Sequence, residues 1–169
     1  IKRGYLQRIV DVVNGLKADA VAVTGDLVDG SVSHLAHDVE PLAALRSRHG
    51  TFFVTGNHEY YSGVEGWVPH LRDMGVNVLM NEHMVLDHDG ARLVLAGITD
   101  FGAHHFYPDQ WSDPVRALRG APDDVHTRVL LAHQPRSAAA AEPAGYQLQI
   151  SGHTHGGQFL PWNFLVRLQ

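Results

Sequence analysis

The sequence predicts an α/β domain, and three observations carry that expectation. Short apolar runs of strand length alternate with amphipathic segments at the helical period. Four of those runs stop at a glycine or a histidine and give way at once to polar, chemically capable residues. With 169 residues, 44% of them hydrophobic, the chain can bury one core and is too short for two comfortable ones.

Leu6, Ile9, Val10, Val13 and Leu16 recur at the helical period and predict a helix from about Gly4 to Lys17. The run AVAVT (20–24) is short and apolar and reads as a buried strand ending at Gly25-Asp26. Leu35, Val39, Leu42 and Leu45 share one face of a second helix, and TFFVT (51–55) is a second buried strand ending at Gly56-Asn57. A helix over Val64–Asp73 precedes short strands near Val76–Leu79, Met84–Leu86 and Arg92–Ala96. A loop from Thr99 to Gln110 leads to a weak helix at Pro114–Leu118 and a strand, TRVLLA (127–132), ending at His133. An Ala-rich helix at Ser137–Glu142 and a last strand, YQLQIS (146–151), ending at Gly152, complete the pattern. Alternation of this kind argues for a mainly parallel sheet covered by helices, with its ligands outside the carboxyl ends of the strands.

The formal net charge of −5 and the lack of any long Lys/Arg run argue against a nucleic-acid-binding face. There is no cysteine, which excludes a disulfide framework, a zinc–thiolate cluster and a thiol nucleophile. No apolar run reaches the length of a membrane helix, and no signal peptide is visible. Histidine is abundant, at 13 residues, which keeps a metal site in view because neutral imidazole is the commonest protein metal ligand.

Asp26, Asn57, His133, His153 and His155 stand at the four strand ends and supply one carboxylate, one carboxamide oxygen and three imidazoles. This N/O donor set suits Zn, Mn or Fe better than an all-protein Ca or Mg cage. Singly, Asp26 reads as a turn or helix cap, Asn57 as turn chemistry and His133 as a satisfied edge histidine. Together, and with His-x-His set among glycines, they read as a metal centre.

The succession of GD-x-x-D at 25–29, GNHE at 56–59, a lone histidine after a strand at 133 and GHTHGGQ at 152–158 resembles the calcineurin-like metallophosphoesterase superfamily. The GHTHGGQ ending resembles its bacterial branch of YkuE/YaeI-type membrane-associated phosphodiesterases. The resemblance runs over nearly the whole chain and implies a β-sandwich flanked by helices. It also implies roles. Asp26 would bridge two divalent metals; Asn57, His133 and His153 would complete one site, and His155 would belong to the other. Catalysis would rest on Asp26 and on His58, which contacts the phosphate and assists the leaving oxygen. Asp29 and Glu59 would hold histidines or backbone in place. The family's opening Asp-x-His strand has no counterpart before Asp26, and family members continue beyond PWNFLVRLQ. Residues 1–169 are therefore expected to form a single domain truncated at both ends, with one complete metal site.

The implied function is hydrolysis of a phosphoester by a metal-bridging hydroxide, first as a phosphodiesterase. Phosphomonoesterase action, lipid-linked pyrophosphatase action and a non-catalytic metal-binding relative are the alternatives. The expected partner is a small phosphoester or a phospholipid headgroup, handled by a monomer that is cytoplasmic or membrane-associated. His104, His105, Phe106 and Tyr107 form a loop that would cover the site and shape substrate choice. His34, His37, His49, His70, His83, His88 and His126 are assigned to helix surfaces or turns. Phe159, Pro161, Trp162 and Phe164 read as core or rim residues that could also lie near an acyl chain.

Overall fold

The computed structural model describes residues 2–157, 160, 161 and 164. The element order is α1 (Arg3–Gly15), β1 (Val21–Val23), α2 (Val32–Val39), β2 (Thr51–Phe53), α3 (Asn57–Tyr61), α4 (Val64–Asp73), β3 (Asn77–Val78), β4 (Glu82–His88), β5 (Ala91–Gly97), α5 (Pro114–Ala117), β6 (Thr127–Leu131), α6 (Ala138–Ala141) and β7 (Leu148–Ile150). Phe159 and Trp162 lie outside the described residues, whereas Phe164 is exposed.

The single mainly parallel sheet expected from the strand–helix alternation is not what forms. There are two sheets. One has three parallel strands in the order β1-β2-β3; the other runs β4-β5-β6-β7, antiparallel between β4 and β5 and parallel thereafter. A hairpin at Asp89-Gly90 makes the antiparallel pair. Both residues take left-handed φ, 49° and 85°, and His88 faces Ala91 across a two-residue turn. An Asp-Gly pair adopts that conformation readily, and the twist it imposes suits antiparallel strands.

The two sheets stack as a sandwich, which is the architecture the resemblance implied. Alternation along each strand sorts its residues between layers. Phe53 and Val78 face Leu6, Val39, Trp67 and Leu71 of the helices, while Phe52, Val54 and Leu79 meet Leu86, Leu95, Val129 and Leu131 of the second sheet. Val94, Ala96, Leu130 and Ala132 turn outward and are covered by Ala117 and Ala141. The layers are thus helix, sheet, sheet, helix. The sheets approach so closely at Gly97 that a Cβ there would lie 2.5 Å from Leu79 and Val54.

Local chemistry explains where helices depart from the sequence expectation. The helix carrying Leu35 to Leu45 breaks after Val39 and continues as a 3-10 segment, Glu40–Ala44. Pro41 has no N–H for an α-helical bond, and its ring crowds the carbonyl one turn back. Of the histidines assigned to helix surfaces and turns, His83 and His88 lie on β4 instead. His83 Nδ1 bonds the Ala117 carbonyl at 2.8 Å.

Trp67 anchors the helical layer: its side chain is fully buried and its indole N–H donates to the Gly30 carbonyl at 2.9 Å. Trp67→Ala is expected to cost about 3–5 kcal/mol through the cavity and the orphaned carbonyl, read as a lower urea midpoint. A loss under about 1 kcal/mol would show that the layer does not depend on this contact.

Candidate metal centre

The carboxyl ends of β1 and β2 in one sheet, and of β6 and β7 in the other, converge at one end of the sandwich. Parallel pairing within each sheet sets this geometry, because strands that run together also end together. Asp26, Asn57, His133 and His153 come from these four ends.

His133 is the focus. It is buried, and its Nδ1 lies 2.6 Å from the Thr24 carbonyl. Only an N–H can serve that acceptor, so the tautomer is fixed and Nε2 is directed into the cluster. Around Nε2 stand Asp26 Oδ2 at 3.0 Å, Asn57 Oδ1 at 3.2 Å and His153 Nδ1 at 3.0 Å. Ligand atoms of Asp26, His133 and His153 all fall within 4.8 Å of one another. Donors held about 2.1 Å from a tetrahedral ion sit about 3.4 Å apart. The observed spacings are a few tenths of an ångström shorter, so a small outward relaxation admits a divalent ion. The donor set and its spacing fit a metal.

The backbone around the cluster is unusual and explains its glycines. Gly25 has φ 89°, and a Cβ there would lie 2.5 Å from the Gly56 nitrogen and 2.9 Å from His133 Nδ1. A Cβ on Gly56 would collide with Asp26 Oδ1 and approach His133 Cε1 to 2.9 Å. Asp26 and His153 are themselves left-handed, at φ 55° and 68°, a conformation that costs a non-glycine residue about 1–3 kcal/mol.

Glu59 holds this arrangement. Its carboxylate is fully buried and accepts from the amides of Gly56 at 2.6 Å, Leu27 at 2.7 Å, Asp26 at 2.9 Å and Val28 at 3.3 Å. Burial pushes its pKa up, with the amides of Gly56, Asp26 and Leu27 pulling the other way. Asp26 sits below its usual range: burial opposes ionisation, but hydrogen bonds from His133 and the His58 amide outweigh it. For His133, burial disfavours the charge, yet Asp26 and the Thr24 carbonyl raise the pKa above the ordinary imidazole value. Burial, then the neighbouring charge of His133, lowers that of His153.

His58, the second residue of α3, stands beside the cluster. Its amide donates to Asp26 Oδ1 at 3.0 Å, and its Nδ1 lies 3.3 Å from Asp29 Oδ1. His155 lines the same cleft, of about 400 Å³, with Asp26, His133 and His153, but falls outside the group whose ligand atoms cluster within 4.8 Å. Sequence reasoning passed over Asp100 and Gln134. Asp100 is buried, accepts from Gln134 Nε2 at 2.9 Å and from the Gly102 amide at 2.8 Å, and so ties the loop after β5 to the residue following His133. A polar residue directly after the lone histidine was the available signal. In the loop 99–110, Phe106 and Tyr107 pack on Tyr60, while His104 stacks on Trp111 at 3.8 Å.

Comparison with known proteins accords with this geometry. The model of the calcineurin-like phosphoesterase family matches residues 2–157. A transmembrane protein with metallophosphoesterase domain from Danio rerio is 41% identical over 99% of this chain and 40% of its own length. An uncharacterized metallophosphoesterase, YkuE, from Bacillus subtilis is 27% identical over 90% of this chain and 52% of its own. The chain thus spans about half or less of these curated relatives. Among solved structures, a 5'-nucleotidase precursor from Thermus thermophilus superposes with TM-score 0.62 at 18% identity, covering 88% of this chain and 35% of the other; it shares the fold.

Two outcomes are expected. Glu59→Gln puts an amide group against four amide donors, and should lower stability by about 1.5–3 kcal/mol and weaken metal binding about 10- to 100-fold, read by denaturation and calorimetry. Metal must displace the proton that His133 shares with Asp26. Affinity should therefore fall as pH drops through the raised His133 pKa, about tenfold per pH unit below it. Calorimetric titration with Mn²⁺ at several pH values checks this; a flat profile would exclude His133 as a ligand.

Proposed function

The chain belongs to the calcineurin-like phosphoesterase family, and from that premise we propose that the protein is a metal-dependent phosphoester hydrolase, acting first on phosphodiesters. One observation carries the reading: His133 Nε2, its tautomer set by Thr24, points at the oxygens of Asp26 and Asn57 and at His153, with His58 alongside. A structural metal site has no need of that further histidine.

Asp26, Asn57, His133 and His153 would hold one divalent ion, Mn, Zn or Fe by their chemistry. Such an ion lowers the pKa of bound water and neutralises charge gathering on phosphoryl oxygens. The chain's own residues supply the rest. Asp29 accepts from His58 Nδ1–H and so presents Nε2 to the substrate. A water oxygen, its proton released to solvent, would form a bond to phosphorus as the bond to the departing alcohol breaks, and a His58 imidazolium would deliver its Nε2 proton to that alcohol.

In a protein as long as the curated relatives, Asp26 and His155 would help to hold a second ion. β1 is an edge strand, and a parallel strand laid beside it would end next to Asp26. An Asp-x-His strand in that position would complete the second site, in a single domain running through residues 1–169. Action at a membrane is also proposed, supported by the Danio rerio relative, a transmembrane protein with metallophosphoesterase domain. Among the described residues no helix is long and apolar enough to cross a membrane. A phospholipid headgroup is then a natural substrate.

His58→Ala is expected to lower kcat on bis(p-nitrophenyl) phosphate by about 10²- to 10⁴-fold while Mn²⁺ affinity stays within about twofold. Turnover that survives the substitution would remove His58 from the mechanism, and absence of turnover in the unaltered Mn²⁺-loaded protein would favour the non-catalytic, metal-binding alternative.

A further inference from the structure

Beside His58 stands a pair of exposed aromatic rings with no structural need to be exposed. Tyr61 closes α3 three residues after His58, and its ring meets the His58 imidazole at 5.5 Å and 73°. Phe106, from the loop 99–110, meets Tyr61 at 5.5 Å and 63°. Tyr61 is 62% and Phe106 44% exposed. Single exposed apolar residues are ordinary on a protein surface. Two that touch each other and a histidine of the candidate site form a patch, and such patches mark binding surfaces.

The patch is also held in place. Phe106 packs on the buried Tyr60 at 5.6 Å, and the Tyr60 hydroxyl donates to Gln110 Oε1 at 2.7 Å. Both ends of the loop are thereby pinned, since the Thr99 hydroxyl donates to the Gln110 carbonyl at 3.3 Å. The two rings are fixed as a corner, offering one π-face beside one edge.

We propose that this corner is a specificity subsite that receives a flat ring carried by the substrate's departing alcohol. The inference rests on the hydrolase reading above, in which His58 serves the leaving oxygen. A ring seated on Tyr61 stacks on one neighbour and meets the edge of the other, the arrangement aromatic groups prefer.

The test compares phenylphosphonate with methylphosphonate, neither hydrolysable, for binding to the Mn²⁺-loaded chain by calorimetry. Phenylphosphonate should bind about tenfold more tightly. In the double variant Tyr61→Ala, Phe106→Ala that preference should vanish while methylphosphonate affinity stays within about twofold. A Tyr61→Leu, Phe106→Leu variant keeps apolar surface without rings and should lose most of the preference. Equal binding of the two phosphonates by the unaltered chain overturns the subsite and leaves the hydrolase reading standing. A preference that survives in the leucine variant, or n-hexylphosphonate binding as tightly as phenylphosphonate, overturns the flat-ring assignment. Failure of both phosphonates to bind despite bound Mn²⁺ removes the hydrolase reading, and the subsite with it.

Discussion

The buried carboxylate of Glu59 is the interaction on which the metal centre depends. Two adjacent parallel strands, β1 and β2, end in loops that pass within van der Waals contact at Gly25 and Gly56. Neither loop forms regular structure there, so their amides need other partners. Glu59 accepts four of them, from Gly56 and from Asp26 through Val28. The cost of burying a carboxylate is offset by four charge-assisted bonds. With the loops held, Asp26 stays in its left-handed conformation and Asn57 opens α3 facing His133.

The other half of the centre comes from the second sheet, so the sandwich core and the site are one construction. Phe52, Val54 and Leu79 packed on Leu95, Val129 and Leu131 set the distance between the sheets. That distance lets His133, at the end of β6, bond the Thr24 carbonyl at the end of β1. A single hydrogen bond thus spans the two sheets, fixes an imidazole tautomer and aims Nε2 at two oxygens and one imidazole nitrogen. The strain at Asp26 and His153 fits this picture, since sparsely populated backbone conformations persist where surrounding structure over-determines them.

Much of this was legible in the residues. Short apolar runs ending at Gly25, Gly56, His133 and Gly152 located the strands and their shared edge, because buried parallel strands need continuous apolar sequence. The helix over Val64–Asp73 matched its periodicity residue for residue. The antiparallel pairing of β4 with β5 was encoded in Asp89-Gly90, a two-residue hairpin signal, but the short runs flanking it read equally well as separate parallel strands. Pro41 marked the break after α2, though the apolar spacing continued across it. α3 was missed because Gly56 and Asn57 suggest a turn, although Glu59, its third residue, accepts from the Gly56 amide and so starts the helix locally. Asp100, Gln134 and the Tyr61–Phe106 corner depend on contacts between distant segments, and pattern along the chain does not carry those.

The central claim is that four side chains from two sheets hold a divalent ion at His133 Nε2. Equilibrium dialysis against Mn²⁺, followed by elemental analysis of the unaltered chain and of His133→Ala, tests it most directly. The account predicts one tightly held ion per chain that is lost in the variant, while both proteins keep the same far-ultraviolet circular dichroism. Equal Mn²⁺ content in the two folded proteins would contradict it.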